Sequence, residues 1–141
     1  MRLVLDTCVI VSAFRSRTGA SRRLLDAHDA GLFSILLSQP LLLEYETVLS
    51  RPEQIKAHGI PIEEISDFLD NLVSRAIRVT FHRRLRPQLR DPDDELVLET
   101  AVNGIADAIV THNTSDFLPE ISKFGIPVLT PGHIIRGRLR I

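Results

Sequence analysis

The segment RDPDDELVLETA, residues 90–101, places four acids in the five positions from Asp91 to Glu95 and then becomes apolar. Helix capping accounts for part of this pattern. Asp91 is typical of an N-cap, Pro92 suits the first helical position, and acids in a first turn interact favourably with the helix dipole. Capping alone could therefore produce the whole string.

Helical spacing supports a second interpretation of the same acids. Asp94 is followed, at steps of four, three and four residues, by the apolar side chains Leu98, Ala101 and Ile105. This spacing places Asp94 on the stripe predicted to face the core, where a carboxylate is costly unless a cation meets it. We therefore predict that Asp94 points towards a metal ion, while Asp93 and Glu95 face the helix dipole and solvent.

Other polar side chains follow predicted strands. The strand RLVLD ends in Asp6, and a fourth predicted strand ends in THN, with a further acid three residues later. In a parallel sheet, sites form beyond the carboxyl ends of the strands. The residues that we expect to meet at this edge are Asp6, Glu44, Asp94, and either Asn113 or Asp116.

Strand and helix patterns alternate along the chain. Apolar runs predict strands at 2–6, 32–38, 77–81, 106–112 and 125–130, with residues 7–14 as a possible continuation of the first. Amphipathic spacing predicts helices at 21–31, 39–51, 61–76, 91–105 and 131–139, the second ending near Pro52. The sequence therefore predicts an α/β fold, a single three-layer α/β/α domain over residues 1–141 with a mainly parallel sheet of about five strands.

The composition is that of an ordinary globular domain, with 44% of the 141 residues hydrophobic and 25% charged. The single Cys8 excludes an intramolecular disulfide, so a reducing cytoplasm is the simpler expected location. No segment approaches the roughly 20 apolar residues of a membrane helix, and no membrane association is expected. The formal net charge of −1 excludes a strong global attraction to nucleic acid.

Arginine dominates the basic residues, with fifteen Arg against two Lys. Arg is the side chain suited to bidentate phosphate contacts. The segment HRRLRPQLR, residues 82–90, lies directly before the acidic cluster. It is either a solvated basic loop or the part of the chain that contacts a phosphate-bearing substrate.

Carboxylates gathered at one edge repel one another unless a cation lies among them. Oxygen ligands, without Cys or His at zinc spacing, favour Mg²⁺ or Mn²⁺, ions that activate water and stabilise a reacting phosphate. We expect Cys8 to be a small core residue, and His112 to be placed where it could touch a substrate. The remaining histidines singled out, expected at the surface or in loops, are His28, His58 and His133.

Taken in order, these motifs resemble those of the PIN domain family, which includes metal-dependent ribonucleases and the toxins of VapBC-type toxin–antitoxin pairs. LVLDTCVIVSAF is similar to the family's first strand and first Asp, and LLSQPLLLEYETVLSRP to the segment that carries its Glu. DPDDELVLETAVNGIADAIVTHNTSDF is similar to its acidic helix start, alanine-rich helix, strand and final acidic loop. The resemblance covers essentially the whole chain and is closest to the prokaryotic VapC-like toxin components.

Carried over to this chain, the resemblance implies that Asp6, Glu44 and Asp94 are catalytic metal ligands. It also implies that the hydroxyls of Thr7 and Thr111 hold the acidic loops or a bound water molecule.

The chain departs from the family pattern at Asn113, where an Asp is common. Members with Asn there and an acid three residues later are similar to THNTSDF, so Asp116 becomes the expected fourth acid and Asn113 a residue that positions substrate or water.

The function implied by the resemblance is that of a Mg²⁺- or Mn²⁺-dependent endoribonuclease, the toxin of a toxin–antitoxin pair. Single-stranded RNA segments are the expected substrate, because their backbone can bend into a narrow acidic cleft. A homodimer and a cognate antitoxin protein are the expected partners. The Arg-rich stretch and the resemblance together assign RNA binding to Arg83, Arg84 and Arg86.

Two alternatives belong to other functional classes. A receiver-type signalling domain requires paired acids after the first strand, an Asp after the third and a Lys after the fifth. Asp6 stands alone, IRVTFHRR has no Asp and VLTPGH has no Lys, so this alternative is disfavoured. The second is a PIN-fold module that binds RNA or protein without cleavage, which the Asn113 departure favours.

Overall fold

Short apolar runs form the strands of a five-stranded sheet in the computed structural model, which describes residues 1–83, 92–117 and 124–137. The strands are β1 (Arg2–Leu5), β2 (Ser34–Ser38), β3 (Ile77–Val79), β4 (Ala108–Val110) and β5 (Val128–Leu129). Every pairing is parallel, in the order β3-β2-β1-β4-β5. Because β1 is central, its side chains Leu3, Val4 and Leu5 are fully buried.

Seven helices within the described ranges cover the two faces of the sheet. They are α1 (Thr7–Arg15), α2 (Ala20–Asp29), α3 (Gln39–Leu49), α4 (Pro52–His58), α5 (Ile62–Arg75), α6 (Pro92–Gly104) and α7 (Pro131–Gly137). The predicted three-layer α/β/α fold with a parallel sheet is confirmed. None of the helices in these ranges is long and apolar enough to span a bilayer.

Buried apolar side chains from the sheet and from both helix layers form one contiguous cluster. Helix α2 packs on α1 and α7, whereas α6 packs against β1, β2 and β4. The assignment of residues 1–141 to one domain stays a prediction, since the described ranges do not cover the whole chain.

The sequence pattern misses two helices. Residues 7–14, a possible continuation of the first strand, instead belong to α1, because Asp6 caps a helix there: its Oδ1 accepts a hydrogen bond from the Thr7 amide at 2.8 Å. The helix predicted to reach residue 51 ends at Leu49. Pro52 then begins α4, since a proline is favoured in the first helical turn, where its missing N–H is not needed.

The prediction of the buried face of α6 is wrong in two respects: it extends too far along the chain, and the face that it assigns to the core is too narrow. The helix ends at Gly104, and Ile105 is 78% exposed with a φ of 54°. Glu95, predicted to face solvent, is buried together with Glu99 one turn later. The physical reason is that α6 packs under several strands and is buried over a wide arc.

His28 is also placed differently from its prediction. Instead of lying at the surface, it is buried in α2 and its ring contacts that of Phe33, with 5.4 Å between the centroids. Desolvation by burial lowers the pKa of His28, so its neutral form is favoured in the folded protein.

Gly104 allows α6 to approach the sheet closely. A Cβ at this position would lie 2.8 Å from Cγ2 of Val79 and 2.9 Å from Cδ1 of Leu36, two buried side chains with little room to move. Gly104→Ala should therefore lower the free energy of unfolding by about 1–3 kcal/mol, the usual range for overpacking. Urea denaturation measures this change.

Gly137→Ala is the matched control, because nothing lies within 4 Å of a Cβ at the end of α7. We expect this variant to unfold with the wild-type midpoint or slightly above it. Equal midpoints for the two alanine variants would show that the close contact at Gly104 is unimportant.

Candidate functional site

Asp6 lies where the central strand becomes a helix. Its amide donates to the Val110 carbonyl at 2.9 Å, which continues the pairing of β1 with β4. Its side chain caps α1, and Asp6 is only 8% exposed. The end of β1 thus fixes one carboxylate at the carboxyl edge of the sheet, the edge at which parallel sheets form their sites.

The second oxygen of the Asp6 carboxylate, Oδ2, is held by the neighbouring strand. The hydroxyl of Thr111, directly after β4, donates to it at 2.7 Å, and Thr111 is fully buried. The Cys8 thiol also donates to Oδ2, at 3.4 Å. Both carboxylate oxygens therefore have donors that fix the rotamer of the side chain.

Cys8 is not suited to act as a nucleophile. Burial, and secondly the negative charge of Asp6, raise the pKa of its thiol to about 11. At neutral pH the thiolate, which is the reactive form, is therefore scarce. The half-buried Cys8 instead packs between Asp6 and Thr111.

Glu44 reaches the same edge from α3. The adjacent Tyr45 is fully buried, and its hydroxyl donates to the carbonyl of Leu5, the residue before Asp6. Burial, and secondly the Asp6 carboxylate, raise the pKa of Tyr45 well above its ordinary value, so the hydroxyl keeps its proton. This hydrogen bond ties the helix that carries Glu44 to the strand that carries Asp6.

Asp94 and Asp116 approach the edge from two further elements. Asp94 is half-buried in the first turns of α6. Asp116 ends a 3₁₀ turn (Thr114–Asp116), and its amide donates to the Asn113 carbonyl at 3.0 Å. The Asn113 amide in turn donates to the Thr111 hydroxyl at 3.0 Å. The loop is therefore attached to the residue that holds Asp6.

These elements enclose an open cleft of about 560 Å³, which we call the acidic cleft. The predicted site residues that line it are Asp6, Thr7, Glu44, Asp94, Asn113 and Asp116. Thr111 lies behind the wall and contributes through its hydrogen bond to Asp6. Their roles stay predictions, but the structure brings their side chains to one cavity.

The donor chemistry of the acidic cleft fits a hard divalent cation, because its lining includes the carboxylates of Asp6, Glu44, Asp94 and Asp116. Within the described ranges, no three His, Cys, Asp or Glu side chains lie close enough to form a ready-made metal site. A Mg²⁺ ion usually binds one or two carboxylates and keeps several waters, so it does not require such a cluster.

Arg83 is not brought to the acidic cleft. Its amide donates to Oδ1 of Asn103 at 2.9 Å, so it lies near the end of α6, about 14 Å along the helix from Asp94. It lines a different cavity, together with Ile105 and Phe124. The other two arginines to which RNA binding was assigned, Arg84 and Arg86, lie outside the described residues.

His112, predicted to be within reach of a substrate, does not line the acidic cleft. Its Nε2 lies 3.0 Å from the hydroxyl of the buried Ser21 in α2. His112 thus links the end of β4 to the first turn of α2.

The other end of the acidic cleft was not predicted from the sequence. It is lined by Ser12, Arg15, Ser16 and Arg51. The sequence does contain a signal for this end of the cleft, but the signal is visible only if these residues are assigned to a helix. Residues 8, 11, 12 and 15 share one face of a helix, and all four line the cleft. If residues 7–14 are taken as a strand, this shared face is lost.

The protein-family comparison agrees with this architecture. A family model described as a PIN domain matches residues 2–115. The matched range contains β1 to β4. It also contains three of the four acids that line the acidic cleft, all but Asp116. A search of curated proteins finds no match.

The Tyr45 hydrogen bond yields a direct prediction. Tyr45→Phe removes the donor to the buried Leu5 carbonyl, and the free energy of unfolding should fall by about 1–3 kcal/mol. Urea denaturation measures the loss. Ser74→Ala is the control, because that exposed residue also donates a hydroxyl to a carbonyl, Asn71 O, at 2.7 Å, but in solvent. Equal stability losses in the two variants would refute the anchoring role of Tyr45.

Proposed function

The chain belongs to the PIN domain family, and from that premise we propose that it is a Mg²⁺- or Mn²⁺-dependent endoribonuclease. Proteins of this family are generally metal-dependent nucleases that bind RNA. The observation that carries the proposal is the acidic cleft, in which Asp6, Glu44, Asp94 and Asp116 line one cavity at the carboxyl edge of the sheet. Four acids at this edge are unnecessary for a parallel α/β fold and suit a cation that acts on phosphate.

In this proposal, Asp6 and Asp94 would hold one divalent ion most firmly, with Glu44 as a further ligand and Asp116 acting at longer range through water. When bound, such an ion lowers the pKa of a coordinated water and neutralises charge on the phosphate. Asp6 is suited to its role because the backbone amide of Thr7, rather than its hydroxyl, and the hydroxyl of Thr111 fix its two oxygens. A ligand held in one rotamer loses less conformational freedom when the ion binds.

The remaining side chains orient the reactants. The Glu44 carboxylate, which is also a proposed ligand of the ion, accepts a hydrogen bond from the attacking water and orients it. The oxygen of this water forms the new P–O bond and releases a proton to solvent, while the ester P–O bond breaks and the leaving oxygen takes up a proton from solvent. Asn113 offers a neutral amide, which holds water or substrate by hydrogen bonds and repels a phosphate less than an Asp would.

Single-stranded RNA is the substrate class that we assign. The acidic cleft is open at about 560 Å³ and is lined by side chains from several elements rather than by one flat face. A single strand can bend its backbone into such a cleft, whereas a duplex presents a wide and rigid surface.

The proposal extends to a toxin role, with a cognate antitoxin protein and a homodimer as partners. These partners are carried by the resemblance to VapBC-type toxins. The dimer has additional support, because α5 exposes two large apolar side chains, Ile62 and Val73, that line a groove between α3 and α5. Each is about half exposed.

One observation favours a second candidate, a PIN-fold module that binds RNA without cutting it. Asn113 lines the acidic cleft at the position where an acid is common in the family. A neutral residue there weakens the binding of a metal ion. The two candidates differ in a single measurable property, which is metal-dependent cleavage.

Cleavage of a labelled single-stranded RNA with Mg²⁺ or Mn²⁺ tests the proposal. Wild-type protein should cut it, and a chelator should stop the reaction. Asp6→Asn and Asp94→Asn should each lower kcat/KM by more than about 100-fold, since even residues behind metal ligands cost 10–100-fold when changed. Both variants should fold, because Asn caps α1 as well as Asp does and Asp94 is only half-buried.

Asp67→Asn serves as the control, because it removes an exposed acid of α5 that does not line the acidic cleft. It should cut at the wild-type rate. RNA binding by wild-type protein without any metal-dependent cleavage would instead establish the binding module.

A further inference from the structure

The acidic cleft has a basic end. Arg15 is the last residue of α1, and Arg51 directly precedes α4; both are exposed and both line the same cavity as the acids. The cavity therefore changes from negative to positive along its length. A polyanion with one phosphate at the acidic end would be repelled by the acids elsewhere, unless cations meet its other phosphates.

Arg15 is oriented before any ligand arrives. Its Nε and Nη2 donate to Oε1 of Gln54 in α4, at 3.2 and 2.9 Å. These bonds use one edge of the planar guanidinium group. The other edge, formed by Nη1 and the second proton of Nη2, has the fork geometry that matches two phosphate oxygens.

The position of the two arginines decides which phosphate they can reach. Along α1, the Cα of Arg15 is about 12 Å from that of Thr7, which adjoins Asp6. Along α3 and its C-terminal turn, Arg51 lies a further seven positions beyond Glu44. Both arginines are therefore offset from the acids and face the next part of a bound RNA chain.

The geometry points to a phosphate subsite formed by Arg15 and Arg51, which binds a phosphate of the RNA that flanks the one being cleaved. This inference rests on the proposed ribonuclease function. Arg15 contributes a preoriented fork and Arg51 a second positive charge, while Ser12 supplies a hydroxyl on the wall between the two ends. Binding energy at this non-reacting phosphate holds the scissile one in place.

The subsite gives a chain whose net charge is −1 a local attraction for RNA. The attraction is local and lies within the cleft, so it needs no basic surface. It assigns substrate binding to two arginines of α1 and the α3–α4 connection, whereas Arg83 lines another cavity.

The test compares two substrates, a dinucleoside monophosphate, which carries only the scissile phosphate, and a single-stranded oligonucleotide of about ten residues. On the longer substrate, Arg15→Gln and Arg51→Gln should each lower kcat/KM about tenfold, mainly through KM, as expected for charge-assisted hydrogen bonds. On the shorter substrate, both should match wild-type protein. Arg23→Gln, an exposed arginine of α2 outside the cleft, should match it on both.

Binding provides a second measurement that does not depend on cleavage. Fluorescence anisotropy of the labelled oligonucleotide, measured with chelator present, should show weaker binding for each variant. The salt slope should become shallower by about 0.7 per arginine removed. Gln54→Met keeps both arginines but removes the acceptor that orients Arg15, and it should weaken binding by a smaller factor.

The outcomes separate this inference from the proposed function. If wild-type protein cuts RNA but the arginine variants cut and bind the longer substrate equally well, the subsite is refuted and the ribonuclease stands. If no RNA is cut yet binding falls in both variants, the ribonuclease is refuted and the subsite remains as a binding site. Weaker Mn²⁺ binding in the arginine variants would instead show that these arginines organise the acids, which also overturns the subsite.

Discussion

The hydrogen bond from the Thr111 hydroxyl to Asp6, at 2.7 Å, is the interaction on which the acidic cleft depends. It joins the ends of β1 and β4, the two strands whose pairing brings distant parts of the chain to one edge. The same hydroxyl accepts the Asn113 amide, so it also attaches the loop that carries Asp116. The buried Thr111 thus links Asp6 to Asn113 and, through Asn113, to the loop that carries Asp116.

The position of β1 explains why a carboxylate can be kept there. As the central strand, β1 is flanked on both sides, so Asp6, directly after its last residue, lies among donors from neighbouring elements. The Asp6 carboxylate accepts hydrogen bonds from the Thr7 amide and the Thr111 hydroxyl. The backbone amide of Asp6 donates to Val110 and so continues the pairing of β1 with β4. A buried acid with these donors is tolerated by the fold, because its desolvation is offset by hydrogen bonds.

The opposite end of the cleft follows a different rule. Arg15 and Arg51 are exposed side chains at helix boundaries, where no core packing requires an arginine. Gln54 nevertheless orients one of them. Acids fixed by strand ends and arginines carried by helix ends give the cleft its two signs of charge.

Much of the fold follows from local patterns in the sequence. The strand at 2–5, the parallel sheet and the acidic start of α6 were predictable, because short apolar runs and capping residues act locally. Helix α1 was not predicted, because its β-branched residues are typical of a strand. The signal for a helix is the N-cap at Asp6. Pro52 was taken as a terminator, although a proline is equally compatible with a helix start.

The site was predictable to a similar degree and for a related reason. Acids at strand ends are visible in the sequence because a parallel topology places those ends together. The placement of Arg15 and Arg51 in the cleft depends on the direction of α1 and on the presence of α4. The sequence pattern predicted neither helix. Burial of Glu95 likewise depends on how deeply α6 packs, a tertiary property that spacing along one helix does not determine.

Calorimetric titration of Mn²⁺ into the RNA-free protein measures whether Asp6 anchors one ion in the acidic cleft. We expect a single site that Asp6→Asn removes, that Asp116→Asn weakens, and that Asn113→Asp strengthens by adding a negative charge. Unchanged Mn²⁺ binding in Asp6→Asn, or two tightly bound ions in the wild-type protein, would show that Asp6 does not anchor a single ion.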